Sequence, residues 1–360
     1  MLKTARFAAT TLVAAALTIP VAAPAHALEL DEIPILGSLF AHELPLPGYG
    51  DMVVDNARKQ IFISGGPESQ GIVVTDFFGH VKKTIENQSG ATGLILSEDG
   101  ATVYAALSAG DAISAIDAET LAEAERFGTG AQSCPTHLAR TAGNVWFGYG
   151  CGSSWQGRIG ELDTLAQPPS VRLDVQGGTP FQQAPLLASG TGDAGPVLAG
   201  QPDTSLALLK RYGSGGGELT PGAESGAAGS NLTDLAVSPD GQTVFTAAGS
   251  RDAVDAFGSG DLAAAGTYAS GPHPLAAAPS LDGGFLATAT AGSTEDQVRI
   301  YQVGGSEPVK AVDVRGDAVA PRGLAFSAEN ETLFMITVDG EGVPSLECVP
   351  HPTFDLPLLP

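Results

Sequence analysis

Short apolar runs recur along the chain, and the residues that break them are those of tight turns. The stretch LILSEDGATVYAAL, Leu94 to Leu107, has a near twin in LAVSPDGQTVFTAA, Leu235 to Ala248. Each reads as an apolar run, then Ser-x-Asp-Gly, then Thr-Val, an aromatic residue and more apolar positions. Leu94 to Leu96 and Val103 to Ala106 are short and β-prone, while the Asp of the turn can bond nearby backbone amides and Gly100 can take positive φ. The pattern predicts a β-hairpin in both places.

The apolar pair that opens the second strand of this hairpin recurs as Ile61-Phe62, Val103-Tyr104, Val145-Trp146, Val197-Leu198, Val244-Phe245, Leu286-Ala287 and Leu333-Phe334. The successive intervals are 42, 42, 52, 47, 42 and 47 residues. The preceding turn stays recognisable in DNARKQ, SEDGAT, SPDGQT, SLDGG and SAENET; ARTAGN and ASGTGDAG, in copies three and four, have diverged. A further β-prone run follows each hairpin, such as AISAIDAETL or GRIGELDTL, and Asp-Thr turns such as IDAETL lead on to a fourth strand. A unit of about 45 residues thus holds four strands of about five residues, the grain of a repeat protein. Seven four-stranded antiparallel units predict an all-β, seven-bladed β-propeller, because radial closure protects most sheet edges. A linear β-solenoid would use shorter coils. The seventh unit supplies only three clear strands, so SLFAHELPLP, ahead of the first unit, is expected to close the ring as its outer strand. The Pro-rich end VPHPTFDLPLLP is the rival for that edge.

Units such as SEDGATVYAALSAGDAISAIDAETL resemble the YVTN-type repeat, in which an Asp-Gly hairpin is followed by Val-Tyr and an Ile-Asp-x-x-Thr strand. The resemblance spans Gly50 to Pro352 and is strongest in copies two and five. It implies a secreted bacterial YVTN-family β-propeller, with the Ala, Gly and Asp richness of actinobacterial members. Some relatives carry immunoglobulin-like modules after the propeller, and propellers with YVTN-like repeats include lactonase-like hydrolases.

Composition adds a destination. Residues 1–27 carry Lys3 and Arg6, an apolar run from Phe7 to Ile19, and the small-residue site Ala25-His26-Ala27. This reads as a signal peptide cleaved after Ala27, since so short an apolar run does not span a bilayer. The expected organisation is a leader (1–27), a segment with the closing strand (28–49), seven repeats (50–352) and a Pro-rich tail (353–360). The protein is expected to be exported and monomeric. A formal net charge of −23 argues against nucleic acid and anionic membrane as partners, and no later segment is apolar enough to span a membrane. With 47 Gly, 25 Pro and only 16% charged residues, turns should outnumber long helices.

Three cysteines in an exported chain favour one disulfide and one odd thiol. Cys134 and Cys151 flank the expected third hairpin symmetrically and should bridge across it; Cys348 is expected to be a small buried hydrophobe. The sequence has no G-x-S-x-G, H-E-x-x-H, C-x-x-C or Walker motif. GTGDAG at 190–195 is followed by Pro196 and a strand-like VLAG, so no helix N-terminus could hold a pyrophosphate there. Asp99, Asp240 and Asp282 recur in equivalent turns and are expected to build hairpins. Aligning the inner strands brings Asp51, His137, Asp234, His273 and Arg322 to one channel rim. Two imidazoles and two carboxylates are a donor set for a divalent metal, with Arg322 to pair a carboxylate ligand. Locally bonded rim groups and no cofactor are the preferred expectation. Two functions stay open: a binding or scaffold module for a protein, glycan or small ligand, with no catalytic residue, and a lactonase-like hydrolase using a metal or His/Asp rim site.

Overall fold

A computed structural model describes residues 41–353 of the protein, apart from 142, 153–154, 191–194, 203–204, 216–217, 292–294 and 315–317. The leader, most of the 28–49 segment and residues 354–360 of the tail lie outside the described residues.

The described strands form seven four-stranded antiparallel sheets. Blade two is typical: Ala91–Leu96, Thr102–Leu107, Ala112–Asp117 and Ala122–Gly128 pair in chain order. The first strands of neighbouring blades lie side by side around a central channel, that of blade one meeting that of blade seven. Burial depends on radius. The two middle strands, such as Gln60–Ser64 and Gly71–Asp76, are buried on both faces, the inner strand Met52–Asp55 is partly buried, and outer strands such as Val81–Glu86 are largely exposed. The middle strands therefore read as continuous apolar runs.

Each interface between blades has its own apolar core. Phe62, Val74, Leu94 and Val103 join blades one and two; Trp146, Ile159, Leu187 and Tyr212 join three and four; Ile300, Leu324, Phe326 and Met335 join six and seven. The last interface, of Ile61, Ile63, Phe334 and Ile336, includes Leu44 and Leu46 from the segment ahead of the repeats. Ala41–Glu43 pairs antiparallel with Pro344–Pro350, Ala41 opposite Glu347, as the outer strand of blade seven. The ring is closed by the N-terminal strand, as the sequence predicted.

The Ser-x-Asp-Gly turns are built alike. Asp99 Oδ1 accepts from Ser97 Oγ (2.7 Å) and Ala101 N (2.9 Å), and Ser97 Oγ in turn accepts from Thr102 N (2.9 Å). Asp240 and Asp282 repeat the arrangement with Ser238 and Ser280. These bonds hold all three carboxyls below their ordinary range. Each Asp is a turn residue in a separate blade.

Cys134 and Cys151 form the disulfide, with Cα atoms 5.1 Å apart, bracketing the strands Pro135–Thr141 and Asn144–Tyr149. Cys348 is buried, donates to Phe77 O at 3.5 Å, and has its thiol pKa pushed by burial up to about 12. Pro196 leads directly into the strand Val197–Gly200, so GTGDAG, whose residues 191–194 lie outside the described set, opens no helix.

Candidate functional site

The first strands of blades two, three, five, six and seven each carry an irregularity where they begin, as between Leu232 and Asp234 or between Pro274 and Ala276. Such bulges re-aim side chains at the rim of a ring. Counting from the paired second strand, the level of Asp51, Gly93, His137, Asp234 and Gly323 is completed by Leu186 in blade four and Ala276 in blade six. The apolar runs of those two strands do not mark where each one starts, so their register differs from the one expected from sequence. His273 therefore stands two residues early. It is exposed, and its Nδ1 lies 2.7 Å from Gly249 O.

The other four predicted residues come together. Arg322 has φ of +61°, a left-handed conformation costing a non-glycine residue on the order of 1 kcal/mol. Gly323 follows, where a Cβ would lie 2.8 Å from Ala320 O and 2.9 Å from Ile336 O. This pinch directs the guanidinium across the end of the channel. Arg322 Nη2 forms an ion pair with Asp51 Oδ2, the two side chains being 18% and 14% exposed, and Nη1 donates to His137 Nδ1 at 2.6 Å. His137 is thus the tautomer with its proton on Nε2. Burial first, and Arg322 second, holds its pKa well below the ordinary range, so the ring is neutral.

Asp51 and Asp234 have matching roles in blades one and five. Asp51 accepts from Met52 N and from Leu94 N of the next blade, each at 2.9 Å. Asp234 accepts from Leu235 N and from Ala277 N of the next blade, each at 2.8 Å. Each carboxylate ties two first strands together. Burial outweighs the opposing backbone bonds and Arg322, raising the pKa of Asp234 to about 6 and that of Asp51 above its usual range. Tyr49, which precedes the first repeat and so escaped the repeat alignment, donates from Oη to Arg322 O at 3.1 Å.

Behind this layer runs a channel cavity of about 350 Å³, with Leu138, Leu187, Leu235 and Leu324 in its wall. Among the described residues, one set of three ligand-type groups has its atoms within 4.8 Å of one another: Asp111, Cys134 and Cys151. Its two sulfurs are joined in the disulfide. The rim brings together one cation, two carboxylates and a neutral imidazole, each committed to a neighbour. Such a set ties neighbouring blades together and leaves only a small net charge at the channel mouth.

The fold and this rim define a seven-bladed β-propeller. No family model matches the chain, and no curated protein matches it. Among solved structures, a chain of the mitotic checkpoint complex is similar with a TM-score of 0.68 and 13% identity, covering 94% of this chain and 99% of that one. The β-propeller domain of Cps50 (Swd1) from Myceliophteria thermophila is similar with a TM-score of 0.64 and 10% identity, covering 85% and 98%. At these identities the likeness is one of fold. Among the described residues no helix is long and apolar enough to cross a membrane.

Proposed function

We propose that this chain is an exported, YVTN-repeat-type β-propeller that works as a non-catalytic binding or scaffold module for a protein, glycan or small ligand. The observation that carries the reading is the occupation of the rim. The Nδ1 lone pair of His137, which a general base would need, receives the Arg322 guanidinium. Both oxygens of Asp234 receive backbone amides. A base or metal ligand needs a lone pair directed at its target; His137 Nδ1 has its single one engaged, and the Asp234 carboxylate is oriented by the amides of two blades. A ring of separately packed blades meanwhile offers a rigid frame whose loops and clefts vary without disturbing the core.

The test uses the purified mature protein, whose N-terminus should begin at Leu28 when recovered from the medium of an exporting host. Metal analysis and hydrolysis of a lactone panel, with and without chelator, should give neither stoichiometric metal nor turnover. Bound metal that disappears in a His137→Ala, His273→Ala double variant, or chelator-sensitive lactone hydrolysis, would overturn the reading in favour of the hydrolase.

A further inference from the structure

Two matched carboxylates stand at one end of the channel, and Arg322 pairs with one of them. Asp51 and Asp234 hold equivalent places in blades one and five, and each accepts two backbone amides. Asp51 has Arg322 as its counter-ion, just as the buried Asp55 has Arg58 and the buried Glu161 has Arg172. Asp234 is 7% exposed and makes no ion pair among the described residues. Arg322 acts on it only from beyond ion-pair distance. Burying a carboxylate without a partner cation is costly, and the pKa of about 6 that burial imposes on Asp234 reflects that cost.

The carboxylate also has space beside it. Asp234 lines the channel cavity of about 350 Å³, together with Asp51 and Arg322. From that charged end the cavity follows the first strands past the four wall leucines to Asn56 and Leu281, which come just after the strands Met52–Asp55 and Pro274–Pro279. Leu281 is 49% exposed and marks the mouth at this far end. A guest entering there meets Asp234 along the cavity itself. The backbone amides take one lone pair from each oxygen of Asp234, which leaves one on each for a further donor.

Charge and wall chemistry narrow the class of guest. One guanidinium against two carboxylates, with His137 neutral, leaves one negative charge uncompensated, so an anion is repelled and a single positive charge balances the layer. A divalent cation would meet Arg322 beside the site, and among the described residues the set of three ligand-type groups lies elsewhere, at Asp111. A polyol would find leucine walls without polar partners. Water can bond the remaining lone pairs, but it brings no charge to Asp234. An ammonium group supplies three N–H donors and one charge, and an apolar tail on it would displace water from the leucines. The volume lies at the lower end of the range usual for small-molecule sites. We propose that the channel binds a small primary amine with an apolar tail, its ammonium hydrogen-bonded to Asp234 and its tail lying against Leu138, Leu187, Leu235 and Leu324.

This deepens the binding-module reading and rests on it. The probes are hexylamine, octylamine and phenethylamine, titrated calorimetrically into the mature protein at pH 7.5, with 1-hexanol and hexanoate as the uncharged and anionic controls. At least one amine should bind one-to-one, hexanol at least tenfold more weakly, and hexanoate not at all. In methyl NMR spectra the amine should shift Leu138, Leu187, Leu235 and Leu324. Asp234→Asn keeps the size of the side chain but removes its charge, and should weaken amine binding at least tenfold. Glu125→Gln, at an exposed acid on an outer strand, should leave it unchanged, which separates the channel from general attraction to an acidic surface. Failure of every amine to bind, equal affinity for amine and hexanol, methyl shifts confined to other residues, or undiminished amine binding by a folded Asp234→Asn variant would overturn the amine site. Should that variant not fold, the control ligands and the methyl shifts decide on the intact protein. Lactone turnover would instead overturn the wider binding-module reading, so the two failures are distinct.

Discussion

Asp234 and the turn aspartates respond to acid in opposite directions. The pKa of Asp234 is about 6 in the folded chain and about 4 in an unfolded one. The folded state holds this proton more tightly, so the group's contribution to stability falls as pH rises from about 4 through about 6. The full effect is on the order of 2–3 kcal/mol. Asp99, Asp240 and Asp282 have lowered pKa values, so their contribution is present above about pH 4 and lost below it. Urea midpoints should therefore peak between about pH 4 and 6, and Asp234→Asn should flatten the decline toward neutral pH. Arg322→Leu strands two buried carboxylates and should cost about 3 kcal/mol at pH 7.5. Part of that loss should return at pH 4.5, below the pKa of Asp234; equal losses at both pH values would mean that Arg322 acts through packing alone. Asp51, His137, Asp234 and Arg322 could be brought to one rim from sequence because each stands at the start of the apolar run of its first strand, ahead of Met52, Leu138, Leu235 and Leu324. The level of His273 was not legible, because the run PLAAAP offers no polar residue to mark where its strand meets the channel end. Glu161 was visible as an acid inside GRIGELDTL, but only pairing opposite Trp146 reveals that five other blades keep apolar side chains there.

Hairpins and strands were the most legible elements, since Asp and Gly in a turn have few alternative uses. Removing one carboxylate by Asp240→Ala deletes bonds to Ser238 Oγ and Gln242 N and should cost about 1 kcal/mol by chemical denaturation. Blade three lacks such a turn and carries the disulfide instead. Cys134 and Cys151 are separated by 17 positions, and a covalent loop of that size contributes about 3 kcal/mol in the chain-entropy account. A Cys134→Ala, Cys151→Ala variant should lower stability by that amount while retaining the β-sheet circular dichroism. Loss of all folded signal would instead make the bridge a requirement for the fold. Blades three and four were the least legible by pattern, and they are where buried polar groups replace the common apolar code.

At the scale of the whole molecule, every interface is a local core except the last, which draws on chain regions some 300 residues apart through Ala41–Glu43 and Pro344–Pro350. A variant lacking residues 41–46 would lose the edge strand and the buried Leu44 and Leu46. It should unfold at lower denaturant than the intact chain and show early amide exchange in Pro344–Pro350, whereas unchanged exchange there would deny the segment its closing role. The same feature sets a timetable for biosynthesis. The strand made first can take its place only when the strand made last is available, so six blades must collapse onto one another as an open arc before the seventh completes the circle. During that interval Pro344–Pro350 can accept the same segment from another molecule as readily as from its own. Dilution and slow chain release should favour closed single rings, and crowded synthesis should favour chains linked by exchanged strands.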